Sequence, residues 1–312
     1  MKIAFFWTWE FSKNILAWIL QNIEIEIKLI VSQPDKPVWR KHILEPTQVK
    51  LLALEKNIKI LQPETLRNNE VFFNELNSLK LDFIIVVAYW KIIPKEILTY
   101  PKYWCINIHG SILPMYRWAS PIQEAIKKWD KETWLTIMYM SEWMDEWDIL
   151  TIEKVIIDKL DKTDDIFKKF EKIGSWLLVN TLKWIIDWNI DQKKQDNNKA
   201  TYCKKILKEE WEINFKIDKW INIFNKYRAY SNWPWIYTYY NNKKFNIEDC
   251  ELVDYKWNEN IGKVLKIEKN LVWIVCIDNK ILILKQIKLE WKKSMNILSF
   301  INWNKTFLEY NF

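Results

Sequence analysis

The sequence predicts an α/β protein: a doubly wound parallel-sheet domain followed by a small β-barrel domain of OB-like type. Three observations carry that expectation. The first half alternates short apolar runs with stretches of helical periodicity, the rhythm of repeated strand–helix units. One run, Phe83–Val87, is apolar at every position, as strands covered on both faces are. After the polar stretch 191–199 the rhythm changes to short apolar segments set close together, which suits a small barrel or sandwich.

Taken in order, Lys2–Phe6 reads as a strand and Phe11–Leu20 as a helix. Glu26–Val31 and Thr47–Lys56 repeat the pair, as do Ile58–Leu61 and Val71–Leu79. Strands follow at Phe83–Val87 and Trp104–Ile108, then a helix over Pro121–Lys128 with proline at its start. Leu135–Tyr139 and Ile149–Ile156 read as strands and 164–186 as a long helix. Residues 1–190 form the expected first domain, 191–203 a linker and 204–312 the second domain, with a helix over 217–230 and strands at 262–267, 271–277 and 280–289.

Composition narrows the setting. The 312 residues, 49% of them hydrophobic, are enough for two cores. Cys105, Cys203, Cys250 and Cys276 show no CxxC and no disulfide-like spacing, which points to a reducing, cytoplasmic setting. No apolar run is long enough to span a bilayer, and Glu10 and Lys13 interrupt the apolar N-terminus before any cleavage site. The net charge of +7 is uneven: residues 204–312 hold 19 Lys/Arg against 13 Asp/Glu, while residues 1–203 hold 28 against 27. A basic C-terminal region suits a polyanion, with nucleic acid first among candidates; a solvated Lys-rich surface is the alternative.

Glycine makes up about 7% of ordinary proteins, yet this chain has 3 Gly and 22 Trp. Trp188, Trp257 and Trp303 each follow or precede Asn or Asp in what read as turns, where glycine is usual. Many of these tryptophans are therefore expected to be glycine in the source organism, through a reassigned UGA codon. The alternative is a protein truly rich in tryptophan.

The most informative segment is Asn107-Ile-His109-Gly-Ser-Ile-Leu-Pro114. In a strand, residues i and i+2 share a face, so Asn107 and His109 would look into one space. A hydrogen-bonding amide beside an imidazole that titrates near neutrality is equipment for acyl or formyl transfer. Asp145 is a third candidate, with Glu142, Glu146 and Asp148 as competitors that spacing alone does not eliminate. His42 has no companion group and is assigned no chemistry.

These residues are embedded in a wider likeness. The chain resembles the methionyl-tRNA formyltransferase family over nearly its full length. The segments that carry this are Phe5–Phe11, Ser32–Pro37, Val87–Pro94, Asn107–Pro114, Tyr116–Gln123, Met144–Leu150, Ala200–Tyr202 and Arg228–Pro234. The resemblance implies catalysis by Asn107, His109 and Asp145 and selects Asp145 among the acids. It implies 10-formyltetrahydrofolate as co-substrate, bound by Ser111, Ile112, Leu113, Pro114, Tyr89 and Ile93. Initiator methionyl-tRNA is the implied acceptor and partner, met by Arg40 and Lys41 in the 33–42 loop and by Lys204, Lys205 and Arg228, with Lys208, Lys243 and Lys244 alongside. For Arg228–Pro234 the rival reading, an apolar packing seam, is favoured. No metal, no membrane and a monomer are expected. The family carries glycine at Trp7, Trp39, Trp90, Trp118, Trp134, Trp143, Trp147, Trp235, Trp257 and Trp291, whereas Trp233 matches a family tryptophan. Two other functions stay open: formylation of a small amine such as glycinamide ribonucleotide or an amino sugar, and a catalytically dead RNA-binding relative.

Overall fold

The structure, a computed structural model, describes all residues except 8–10, 39–42, 90, 143–144, 232, 254–259, 268–270 and 279; of 11–14, 36–38, 43–45 and 267 it describes the backbone alone. The chain divides into two units. The first comprises Met1–Pro121, Glu132–Ile156 and Phe167–Cys203; the second comprises Ile122–Lys131, Ile157–Ile166 and Lys204–Phe312.

The first unit is built on a seven-stranded sheet. Its strands are β1 (Lys2–Trp7), β2 (Glu26–Val31), β3 (Ile60–Leu61), β4 (Phe83–Val87), β5 (Cys105–His109), β6 (Glu132–Tyr139) and β7 (Ile149–Ile156), in the order β7-β6-β5-β4-β1-β2-β3. From β5 to β3 neighbouring strands are parallel. The unbroken apolar composition of β4 follows from this place: all five of its residues are buried. The helices Gln48–Glu55 and Glu70–Asn77 begin at Thr47 and Asn69, whose side chains accept from the amides of Lys50 and Phe72. Ala4, Phe6, Leu29, Val31, Ile84 and Val86 pack with Phe72, Leu76 and Ile97 on one side of the sheet.

The sheet departs from a wholly parallel one at one edge. β6 runs antiparallel to β5, and β7 antiparallel to β6. Residues 140–148, which join β6 to β7, are too few for the helical crossover that parallel pairing needs. The strand order reverses at β1, which lies between β4 and β2. In such sheets ligands gather beyond the carboxyl ends of the strands near that reversal. His109 closes the carboxyl end of β5.

The second unit carries an antiparallel sheet in the order Ile236–Tyr240, Lys243–Val253, Ile281–Leu289, Leu271–Val275, Val264–Ile267, with Met295–Asn296 added beside Ile281–Leu289. The first two of these strands escape the sequence reading. Their signal is Asn241-Asn242, both left-handed (φ 48 and 58), a tight hairpin turn of the kind asparagine tolerates. Aromatic side chains fill the interior: Phe245, Phe300 and Phe307 lie 5.0–5.6 Å apart between ring centres. No described helix is long and apolar enough to cross a membrane.

Gly262 shows what a glycine does here. Its φ is +82, and a Cβ would stand 2.4 Å from the carbonyl oxygen of Phe312. We expect Gly262→Ala to lower stability by about 1–3 kcal/mol, read as a shift of the urea unfolding midpoint; an unchanged midpoint would mean that the C-terminus yields freely.

Candidate formyl-transfer site

β5 is held between β4 and β6, with Asn107 opposite Val86 on one side and Met138 on the other. Its pleat turns Asn107 and His109 to the same face, and the loop after β6 brings Asp145 to meet them. The Asn107 side-chain amide donates to Asp145 Oδ1 at 3.3 Å. His109 Nδ1 stands 3.6 Å from Asp145 Oδ2. The other imidazole nitrogen, Nε2, lies 3.0 Å from the carbonyl oxygen of Tyr116. A carbonyl only accepts, so Nε2 carries a proton and Nδ1 is the nitrogen that faces Asp145. His109 is buried (6% exposed), so this geometry is shielded from bulk water.

Asp145 is held on several sides. Besides Asn107, its Oδ2 accepts from the Trp118 amide at 2.9 Å, and its carbonyl accepts from Gln195 Nε2 at 2.9 Å. The holding is needed because Asp145 sits at φ +52, with Tyr116 and Trp118 close by at +60 and +84. Left-handed backbone costs a non-glycine residue roughly 1–2 kcal/mol. A hydrogen bond to a charged group contributes about 1.5–3 kcal/mol, so the Trp118 amide alone offsets the strain at Asp145.

Beside this trio lies a cavity of about 460 Å³ lined by Lys95, Leu98, Thr99, Trp104, Ser141, Glu142, Glu146 and Trp147. Small-molecule sites commonly run from ~300 to ~1,000 Å³. Its wall mixes two indoles and a leucine with two carboxylates, two hydroxyls and the ammonium of Lys95. Two indoles take up part of the room: Trp104 and Trp147 meet edge to face at 5.3 Å. The indole N–H of Trp104 and the hydroxyl of Tyr89 are buried and find no hydrogen-bond partner among the described residues. Burial also pushes the Tyr89 phenol well above its usual ionisation range.

The residues implied for folate lie around rather than on this wall. Ser111 gives its hydroxyl to the Met115 carbonyl at 2.6 Å, closing the turn that Ile112 and Pro114 also form. Leu113 packs with Met138 and Ile149 against Trp147. Ile93 and Tyr89 pack against the core beside β1 and β4. Arg40, Lys41 and His42 fall outside the described residues. Lys204 and Lys205 are exposed in the second unit. Arg228 requires correction as a tRNA contact. It is 1% exposed, donates to the carbonyls of Asp161 (2.8 Å) and Asp158 (3.0 Å) and to Asn225 Oδ1 (3.2 Å), and lies over the Trp129 ring. A guanidinium enclosed in this way does not reach phosphate; of the residues expected to form an apolar seam in this segment, Tyr230 is buried and Trp233 is exposed. Among the described residues no cluster of His, Cys, Asp and Glu is suited to a metal ion.

Sequence comparison places the site in a family. Residues 1–182 match the Formyl transferase family and residues 205–305 the Formyl transferase C-terminal domain. The chain belongs to the formyl transferase family. It is an enzyme of formyl transfer. The methionyl-tRNA formyltransferase of Caldicellulosiruptor saccharolyticus is 41% identical over 307 residues, covering 98% of this chain and 97% of that one. Two solved structures share the fold. A sugar 3N-formyl transferase, determined in the presence of dTDP and 5-N-formyl-THF, has a TM-score of 0.64 at 22% identity, over 94% of this chain and 99% of its own. The methionyl-tRNA formyltransferase of Clostridium thermocellum has a TM-score of 0.58 at 18% identity, over 82% and 95%.

Two residues of this formyltransferase escaped the sequence reading. Arg117 sits in Tyr116–Gln123, where the sequence suggests no role for it, and Gln195 sits in the polar stretch 191–199. The burial of Arg117 and the hydrogen bonds of the half-buried Gln195 mark them out. For Arg228, we expect replacement by Gln to lower stability by roughly 2–4 kcal/mol, since it removes a buried cation's bonds to two carbonyls and an amide oxygen. The slope of log affinity for tRNA against log salt should stay as in the parent; a shallower slope at intact stability would return Arg228 to the tRNA surface.

Proposed function

We propose that this enzyme transfers the formyl group of 10-formyltetrahydrofolate to the α-amine of methionyl initiator tRNA, for translation initiation. The observation that carries the reading is the convergence of Asn107, His109 and Asp145 in a chain that matches the methionyl-tRNA enzymes across both of its domains. Formylation of a small amine is not favoured, because likeness to the sugar enzyme stops at the fold. In this reading residues 1–190 catalyse, the exposed Lys204 and Lys205 of the basic region 204–312 meet the tRNA backbone, Arg40 and Lys41 approach its acceptor end, and the enzyme works as a cytoplasmic monomer. Ser111–Pro114, Tyr89 and Ile93 shape the folate side of the cleft.

The chemistry follows from the side chains. When bound, the co-substrate supplies an activated formyl carbon for the amine. The Asn107 amide has two N–H bonds; one goes to Asp145, and the other, with no partner among the described residues, can donate to the formyl oxygen as negative charge grows there. His109 presents Nδ1 to the same space and can move a proton toward the departing nitrogen. Asp145 orients the imidazole and stands near enough to take up, directly or through water, the proton that the amine sheds. Asn107→Ala should lower kcat by ~10²–10³ with the KM for tRNA little changed. Methionyl-tRNA, glycinamide ribonucleotide and an amino sugar should be assayed side by side with 10-formyltetrahydrofolate. Transfer only to a small amine would overturn the proposal, and tRNA binding without folate binding would favour a dead relative.

We infer further that a set of the tryptophans stands for glycine. Six lie in left-handed backbone: Trp104 (φ 83), Trp118 (84), Trp129 (62), Trp188 (53), Trp235 (66) and Trp291 (62). At roughly 1–2 kcal/mol each, six such indoles cost about as much as a whole domain's margin of stability; glycine would take these angles freely. Trp118, Trp188, Trp235 and Trp291 are positions the sequence reading had named, whereas Trp303 ends a helix and Trp7 and Trp134 lie in strands. Trp39, Trp90, Trp143 and Trp257 fall outside the described residues. Glycine at 104 and 147 would also widen the cavity beside Asp145. Trp188 and Trp291 are highly exposed (87% and 79%), so they contribute little packing. Trp188→Gly and Trp291→Gly should each raise stability to urea by about 1 kcal/mol. UGG codons at these positions in the gene would refute the inference.

A further inference from the structure

We propose that Gln195 and Arg117 are positioning residues: a clamp, anchored on the buried Arg117, that sets Asp145, and through it the pairing of Asp145 with Asn107 and His109. The proposal rests on the catalytic reading of those three residues and assigns a task to two that the reading leaves idle.

Gln195 bridges two parts of the site. Its amide nitrogen donates to the carbonyls of Asp145 (2.9 Å) and Trp147 (2.6 Å), on either side of Glu146. Its amide oxygen accepts from Arg117 Nε (3.2 Å) and Nη2 (2.8 Å). A guanidinium only donates and a carbonyl only accepts, so this is the one orientation of the amide that satisfies both ends.

Arg117 is the fixed point. Its side chain is fully buried, and Nη2 also donates to Asn197 Oδ1 at 2.7 Å. Nη1 donates to the Tyr202 hydroxyl at 3.3 Å and faces Glu146 Oε1 at 3.4 Å, while that hydroxyl donates to the same carboxylate oxygen at 3.2 Å. The main chain completes the frame. Arg117 lies between Tyr116, whose carbonyl meets His109 Nε2, and Trp118, whose amide meets the Asp145 carboxylate. It is itself bonded to the 195–203 segment: its amide donates to the Thr201 carbonyl at 2.9 Å, and Arg117–Trp118 pairs in parallel with Tyr202–Cys203. One buried cation therefore governs His109 and Asp145 through its neighbours in sequence, and the 145–147 backbone through Gln195.

Gln195→Glu separates positioning from packing. A glutamate keeps, and strengthens, the acceptor for Arg117, yet sets a carboxylate oxygen against two carbonyl oxygens and so pushes residues 145–147 away. Gln195→Ala removes the side chain without adding charge. In both variants kcat should fall by ~10–10²-fold, as small misplacements of reacting groups do, with the KM for tRNA and for 10-formyltetrahydrofolate within about twofold of the parent. The imidazole ¹⁵N resonances of His109, identified as those that vanish in His109→Ala, should move in both variants while the thermal transition stays cooperative. Unchanged kcat with unmoved resonances overturns the clamp. Loss of the fold in both variants also overturns it, since Gln195 would then serve stability alone. Full activity in His109→Ala would defeat the catalytic reading instead, and the resonance shifts would still decide whether Gln195 sets the site's geometry.

Discussion

A single carboxylate organises this molecule's working end. Asp145 stands 3.6 Å from the imidazole of His109, accepts from the amide of Asn107 and accepts from the backbone of Trp118. The contacts come from two parts of the chain: two from one parallel strand and one from the segment that follows it. The acid itself comes from a loop between antiparallel strands. None of these parts is correctly placed unless the others are. Tyr116, Trp118 and Asp145 all take left-handed backbone here, and bonds to the same carboxylate and the same turn hold them.

The architecture makes the meeting possible. Parallel strands bring their carboxyl ends to one edge, and the reversal of strand order at β1 leaves a crevice there. Adding β6 and β7 antiparallel supplies a short connection that returns over that edge, which a helical crossover would not do. The fold thus provides the imidazole and the amide from its rigid interior and the acid from a flank.

Much of this was legible in the residues. The apolar run of β4 announced a strand covered on both faces, and the alternation of runs with helical periods gave the first domain nearly element by element. Asn107 and His109 were legible because a strand's period of two is a strong geometric constraint. Asp145 was not: four acids crowd 142–148, and only likeness to a family chose among them. Gln195 was hidden for a similar reason, because a glutamine among lysines and asparagines looks like solvent-facing chain until its bonds are seen. Arg228 misled in the opposite sense: a cation in a basic region suggests phosphate, and only its burial beneath carbonyls shows otherwise. The long hairpin of the second unit was lost because Asn-Asn is a weaker turn signal than Asn-Gly.

The bond from His109 Nε2 to the Tyr116 carbonyl has a consequence for how protons travel. That bond engages the far nitrogen and leaves Nδ1 as the one turned toward Asp145. In the proposed reaction, a proton carried by this imidazole would enter and leave by the nitrogen that looks toward Asp145. On that proposal the ring would serve as a reservoir with one mouth rather than as a relay, refilled from the cleft.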